Sequence, residues 1–251
     1  MARKIILIGG KGGIGKTTTS IGLAHSLAKY GHDVTLIDGN LTTPNIGLYL
    51  GVGNVEPTLH DVLSKKTHNI QSAVFLHKTG FKLVPGDIRL ESLENVKINS
   101  LKHHIKSLDK TSEIVLIDGA AGLGREAVTT LSVADEVLII TNPELPAVVD
   151  ALKTIKLAES MKKPITGIVL VKDRKNSMSL SNVEKMLNKT VISVIPFDNR
   201  IDNALMEKEI ISDRYPYAEA SKGYKKLASY LTGRKYSEQN VLGFLAKLFG
   251  I

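Results

Sequence analysis

Apolar residues fall in short, nearly unbroken runs, separated by stretches that repeat with a helical period. The runs are Lys4-Ile5-Ile6-Leu7-Ile8, Val34-Thr35-Leu36-Ile37-Asp38, Phe81-Lys82-Leu83-Val84-Pro85 and Glu113-Ile114-Val115-Leu116-Ile117-Asp118, then Glu136 to Thr141, Ile165 to Val171 and Val191 to Pro196. Runs this short and this apolar read as strands buried on both faces. Between the first two, Ile21, Ala24, Leu27 and Ala28 make a helical stripe over Thr17 to Tyr30, and Gly31 supplies the stop. Further helices are predicted near Leu59 to Leu63, over Asn99 to Leu108, over Ala147 to Met161, and from about Asn199 and Tyr217. Strand, helix and strand without a hairpin imply right-handed crossovers and parallel pairing. The pattern therefore predicts an α/β fold with a mostly parallel central sheet and helices on both faces.

The pattern changes at Gly233-Arg234-Lys235, which reads as a boundary between a body at 1–233 and a tail at 234–251. Within the tail, Val241, Leu242, Phe244, Leu245, Leu248 and Phe249 fall within an arc of about 160° at helical spacing, with Gly243 and Lys247 opposite. Ser237 is a candidate cap. An apolar helix after a polar linker either docks on the body or enters an interface.

Composition narrows the classes. At 251 residues and 43% hydrophobic content, one α/β domain with a sizeable core is the natural expectation. The chain has no cysteine, which excludes disulfides and cysteine-held zinc or iron–sulfur centres. No run of about 18 apolar residues occurs, and the N-terminus reads as a strand rather than a targeting peptide, so a cytoplasmic location is expected. The net charge of +8 suggests an anionic partner, nucleic acid or acidic lipid. Tryptophan is absent and the aromatics do not alternate with basic clusters, which weakens base stacking as a mode of binding. The adjacent His103 and His104 do not share a helix face and make a poor metal site.

Candidate chemistry centres on Gly10-Lys11-Gly12-Gly13-Ile14-Gly15-Lys16-Thr17, which fits the phosphate-binding pattern G-x-x-x-x-G-K-[ST] between a strand and a helix. Glycine lets backbone wrap closely around phosphate oxygens, and the amide N–H groups and helix N-terminus supply a positive field. Lys16 is expected to reach the β- and γ-phosphates, and the Thr17 hydroxyl to ligate Mg²⁺; Thr18 joins the binding set. Asp38 and Asp118 both end apolar strands, where ligands collect in an open α/β sheet. Asp118 fits the Walker B acid that holds Mg²⁺ through water, and Asp38 is a second candidate metal and catalytic group.

Lys11 adds a second lysine to the loop, and K-G-G-x-G-K-T-T resembles the deviant Walker A loop of the MinD/ParA family of P-loop ATPases. Asp38 and Asn45 match that family's first switch, and Gly119-Ala120-Ala121-Gly122 is similar to its second. Thr141-Asn142-Pro143-Glu144 and the apolar end of the tail also match, the last being similar to the family's MinD branch. The resemblance implies a P-loop NTPase fold that binds ATP and Mg²⁺, with Pro196, Phe197 and Asp198 beside the base. It implies a homodimer formed on ATP binding, in which Lys11 crosses to the partner's phosphates. It also implies a tail that lies on an anionic membrane surface at the inner face of the cell membrane, and a protein activator or cargo. Asn40 departs from the family, which carries an aspartate there associated with the attacking water. An amide orients water but cannot take its proton, so slow hydrolysis is expected. Val171-Lys172 departs from the family's asparagine-arginine at the end of that strand.

Three functions fit. The first is a membrane-associated ATPase switch used in spatial positioning, such as placing a division site. The second is a ParA-like ATPase that binds DNA non-specifically in chromosome or plasmid partitioning, for which Lys222, Lys225 and Lys226 are the candidate patch. The third is a nucleotide-binding scaffold with negligible turnover.

Overall fold

The computed structural model describes residues 1–67, 69–175 and 177–236. In chain order the elements are β1 (Arg3–Gly9), α1 (Lys16–Lys29), β2 (Val34–Asp38), α2 (Ile46–Tyr49), α3 (Leu59–Leu63), β3 (Phe75–Leu76), β4 (Lys82–Val84) and α4 (Leu101–Lys106). There follow β5 (Ile114–Ala121), α5 (Arg125–Val133), β6 (Glu136–Thr141), α6 (Leu145–Ser160), β7 (Ile165–Asp173), α7 (Leu180–Leu187), β8 (Val191–Pro196), α8 (Arg200–Met206), α9 (Ile211–Arg214) and α10 (Glu219–Thr232).

The sheet runs β3-β4-β2-β5-β1-β6-β7-β8. Every neighbouring pair is parallel except β3 with β4. Strand residues alternate between two cores, which explains the unbroken apolar runs. From β1, Ile6 and Ile8 pack among residues of α3 to α7, while Ile5 and Leu7 face α1 and the helices after β8. The expected α/β architecture with helices on both faces is the one found.

The strand order positions the site. The chain leaves β1 for β2 on one side, and from β5 crosses β1 to reach β6 on the other. The loop after β1 therefore sits at the point where the connections diverge, the usual place for a ligand crevice. In register, Asp38 pairs with Asp118, and Leu7 with Asp118, so the end of β2 lies level with the later residues of β5 and β1.

Several elements differ from expectation. The helix expected over Asn99 to Leu108 is α-helical only from Leu101 to Lys106, with 3-10 turns at either end. Helix α7 was not expected. Of its apolar residues Leu180, Val183, Met186 and Leu187, only Val183 and Leu187 are buried, too few to mark a core-facing stripe. Strand β3 is two residues long, too short for a periodic signal. The apolar tail motif, Val241 to Phe249, lies outside the described residues. Among the described residues, no helix is long and apolar enough to cross a membrane.

Helix α1 lies against α10 at one tight point. A Cβ on Gly22 would sit 2.6 Å from Cδ2 of the fully buried Tyr224. Gly22→Ala is expected to lower stability by about 1–3 kcal/mol through overpacking, read as a lower urea midpoint with an unchanged slope.

Candidate functional site

The β1–α1 loop borders a cavity of about 380 Å³. Gly12, Gly13, Gly15, Lys16, Thr17 and Thr18 line one end, and Val171, Ile195, Pro196, Phe197, Ile201 and Leu205 form an apolar wall. The glycines are there for different reasons. Gly15 has φ 99° and stands at the N-cap of α1, a left-handed conformation that L side chains resist. Gly12 and Gly13 have no atom within 4 Å of a Cβ position, so their backbone is open to a close-approaching group.

Not every residue of the loop motif faces the cavity. Gly10 is pressed against Asp150 on α6, where a Cβ would meet the Asp150 backbone at 2.7 Å. Ile14 is buried, with its side chain against Gly9. Both are expected among the nucleotide-binding residues; the Cβ side of Gly10 and the side chain of Ile14 pack behind the loop, which leaves their backbone as the part that faces a ligand. Lys11 also lies outside the cavity lining. Its backbone carbonyl accepts a hydrogen bond from Lys16 Nζ at 3.3 Å. Pro196 and Asp198 line the cavity as expected. Asp198 is committed to Arg200, accepting from its backbone N–H at 3.0 Å and its guanidinium at 2.8 Å.

Beneath the loop lies a buried electrostatic cluster. Thr17 Oγ1 donates to Asp118 Oδ2 at 2.6 Å, and Ser20 Oγ donates to Asp118 Oδ1 at 2.9 Å. Asp38 accepts from the amides of Ile46, at 3.0 Å, and Asn40, at 3.4 Å. Burial pushes the Asp38 carboxyl well above the usual carboxylate range, and the neighbouring Asp118 charge pushes it the same way. Burial also raises Asp118, against the pull of Thr17, Ser20 and Lys16. Lys16 is itself lowered, chiefly by burial.

Two buried carboxyls beside one lysine and two hydroxyls are costly to ionise together without a further cation. A hard divalent cation suits such a donor set, and Thr17, Asp118 and Asp38 are the groups on hand to hold it, directly or through water. Among the described residues, no three His, Asp or Glu side chains gather into a metal cage.

The segment after β2 is held by side chains that pattern reading did not single out. The Glu126 carboxylate, in the first turn of α5, accepts from the Leu41 amide, from the Thr42 amide at 3.2 Å and from the Thr42 hydroxyl at 2.8 Å. His60 is buried, and its Nδ1 accepts from the Asp87 amide at 2.9 Å. The proton therefore sits on Nε2, which donates to the Leu41 carbonyl at 2.9 Å. Burial lowers the pKa of His60 and keeps it neutral in this bridge. Asn40 uses its amide locally, donating to the Thr43 carbonyl at 2.7 Å and the Thr43 hydroxyl at 3.0 Å. An aspartate could not make the first of these bonds.

Fold and site together define a P-loop NTPase. Residues 2–168 match the family model described as an AAA domain. An uncharacterized ATP-binding protein of Methanocaldococcus jannaschii is 33% identical over 231 residues, covering 91% of this chain and 88% of the relative. The cell division ATPase MinD of Pyrococcus furiosus has a TM-score of 0.89 at 30% identity, covering 93% of this chain and 99% of that one. The septum site-determining protein MinD of Pyrococcus horikoshii, complexed with Mg-ADP, has a TM-score of 0.88 at 28% identity, covering 98% and 100%. The chain belongs to the MinD/ParA family of P-loop ATPases.

The buried carboxylates give a stability prediction. A carboxyl whose pKa is raised in the fold keeps a proton that the unfolded chain, with a value of 3.8, has released. Stability therefore falls as pH rises from about that unfolded value through the folded ones, and then levels off. In metal-free protein, Asp118→Asn is expected to melt higher than the parent at pH 7 to 8, with the gap closing toward pH 4. The same variant should lose most of the melting-temperature rise that Mg-ATP gives the parent. Thermal denaturation across pH, with and without Mg-ATP, checks both.

Proposed function

We propose that this chain is an ATP-dependent switch that binds Mg-ATP, dimerises on doing so, hydrolyses it slowly, and associates with an anionic membrane through its tail to position a division site or another cellular structure. The observation that carries the reading is the cavity itself, with Gly12 to Thr18 at one end, an apolar wall at the other and two buried acids below. Mg²⁺ would neutralise phosphate charge there, held by Thr17, Asp118 and Asp38. The protein's part is positioning. Loop amides and Lys16 bind the phosphates, and the apolar wall excludes water from the base.

Dimerisation is supported by Lys11, which borders the site without lining it. Beside it, α6 carries the exposed apolar side chains Leu145 and Val149 on the turns that touch Gly10. A second copy would cover that surface and give Lys11 a phosphate to reach. Slow turnover is supported by Asn40, whose amide is engaged with Thr43 and cannot accept a proton. A tail with few basic residues binds membrane weakly alone, and two tails on one dimer multiply the affinity. ATP then controls membrane binding, and hydrolysis ends it.

The DNA-binding reading receives less support. Lys225 donates to the Pro216 carbonyl, Lys222 pairs with Glu219, and Lys226 lies over the Tyr236 ring. These lysines are engaged locally rather than presented as one patch.

With ATP and Mg²⁺, the chain is expected to elute as a dimer and to float with anionic vesicles, and with ADP as a monomer that does not float. Deleting Asn240 to Ile251 should abolish flotation and leave the dimer intact; flotation of the truncated chain at full strength, or ATP-dependent retention on DNA instead, would refute the membrane reading. Asn40→Asp should raise steady-state phosphate release by about tenfold or more, the scale of a general base. An unchanged rate would remove Asn40 from the account of slow turnover.

A further inference from the structure

The carboxyl end of β7 carries an irregularity at the edge of the cavity. Strands β7 and β8 pair Val171 with Ile195 and then Asp173 with Pro196, so Lys172 is the extra residue of a β-bulge. Its backbone is left-handed, with φ 56°. Glycine and asparagine accept that conformation readily and lysine does not, so it persists only where surrounding contacts impose it. The contact is on the other side of the cavity entrance. Lys172 Nζ donates to the Gly13 carbonyl at 2.7 Å. Both residues line the cavity.

The geometry has a direct consequence for the loop. The Gly13 carbonyl and the Ile14 N–H belong to one planar trans peptide and point in opposite directions. Fixing the carbonyl toward Lys172 therefore fixes the Ile14 N–H away from it. Among the described residues that N–H meets no protein acceptor. Gly12 and Gly13 have nothing packed at their Cβ positions, so neighbouring side chains do little to hold this crest in one conformation.

We propose that Lys172 is a positioning residue of the phosphate loop: the bulge aims its ammonium at the Gly13 carbonyl and so sets the Ile14 N–H as a phosphate donor before nucleotide arrives. This role rests on the Mg-nucleotide reading above and adds to it a residue 159 positions away from the loop it orders. Val171, the residue before the bulge, supplies the apolar wall, so the strand end contributes packing toward the base and order toward the phosphates.

Three substitutions separate the ammonium from the backbone. Lys172→Asn and Lys172→Gly accept the left-handed backbone and remove the ammonium, and Lys172→Arg keeps a cationic donor. The readouts are hydrogen exchange of the peptide spanning residues 10–15 in nucleotide-free protein, and calorimetric affinity for Mg-ADP and Mg-ATP. In the Asn and Gly variants, the loop peptide is expected to exchange faster and both nucleotides to bind about tenfold weaker, with Arg within about twofold of the parent. The nucleotide-free Asn and Gly variants should melt no lower than the parent, since strain is relieved; a residue serving the fold alone would give the opposite pattern, lower melting with unchanged exchange and affinity. Parental exchange and affinity in the Asn and Gly variants overturn the role of Lys172 alone. A parent chain that takes up no Mg-nucleotide overturns that role and the functional reading together.

Discussion

Two carboxylates buried at the same level of adjacent parallel strands, with one lysine and two hydroxyls beside them, set the terms for the rest of this structure. Asp38, at the end of β2, pairs in register with Asp118 of β5, the strand between β2 and β1. Water cannot screen them, so each raises the cost of ionising the other. The fold bears that cost by giving Asp118 the hydroxyls of Thr17 and Ser20, and Asp38 the amides of Asn40 and Ile46. Each of those partners belongs either to the phosphate loop's helix or to the segment after β2. The acids thus tie together the parts that must meet a nucleotide, and a bound cation would change the balance for all of them at once.

That arrangement also provides a physical route from site to surface. The segment after β2 is held on three sides, by Asp38 at Ile46, by Glu126 at Leu41 and Thr42, and by His60 at the Leu41 carbonyl. Glu126 lies in the first turn of the helix that follows the Gly119 to Gly122 stretch, so its carboxylate joins that helix to the segment after β2. Lys172 adds a separate restraint on the phosphate loop from the opposite wall.

Most of the architecture was legible because its strands are buried on both faces. Double burial makes β1, β2, β5 and β6 apolar at nearly every position, a signal that needs no partner information. The phosphate loop was legible because its function constrains the backbone, and backbone constraints appear as glycine. What stayed hidden depends on contacts remote in sequence. Strand β3 is too short to have a period, and α7 has two buried apolar residues. Glu126 and His60 look like ordinary helix residues until the fold places them against Leu41, and the role of Lys172 depends on a bulge set by β8. Asn40 was visible as a departure from the family, but its bond to Thr43 was not. Gly10 and Ile14 match the motif by letter, but that the Cβ side of one and the side chain of the other pack behind the loop depends on α6 and on Gly9 and was not visible in the motif.

The central claim is that the buried acids and the phosphate loop form one Mg-nucleotide site. Titration calorimetry of ATP with and without Mg²⁺ tests it most directly. The account predicts one ATP per chain with Mg²⁺ present, and binding at least about tenfold weaker when the cation is chelated, because phosphate charge then faces two buried acids with no cation between. Binding of equal strength with and without Mg²⁺, or no binding under either condition, would contradict it.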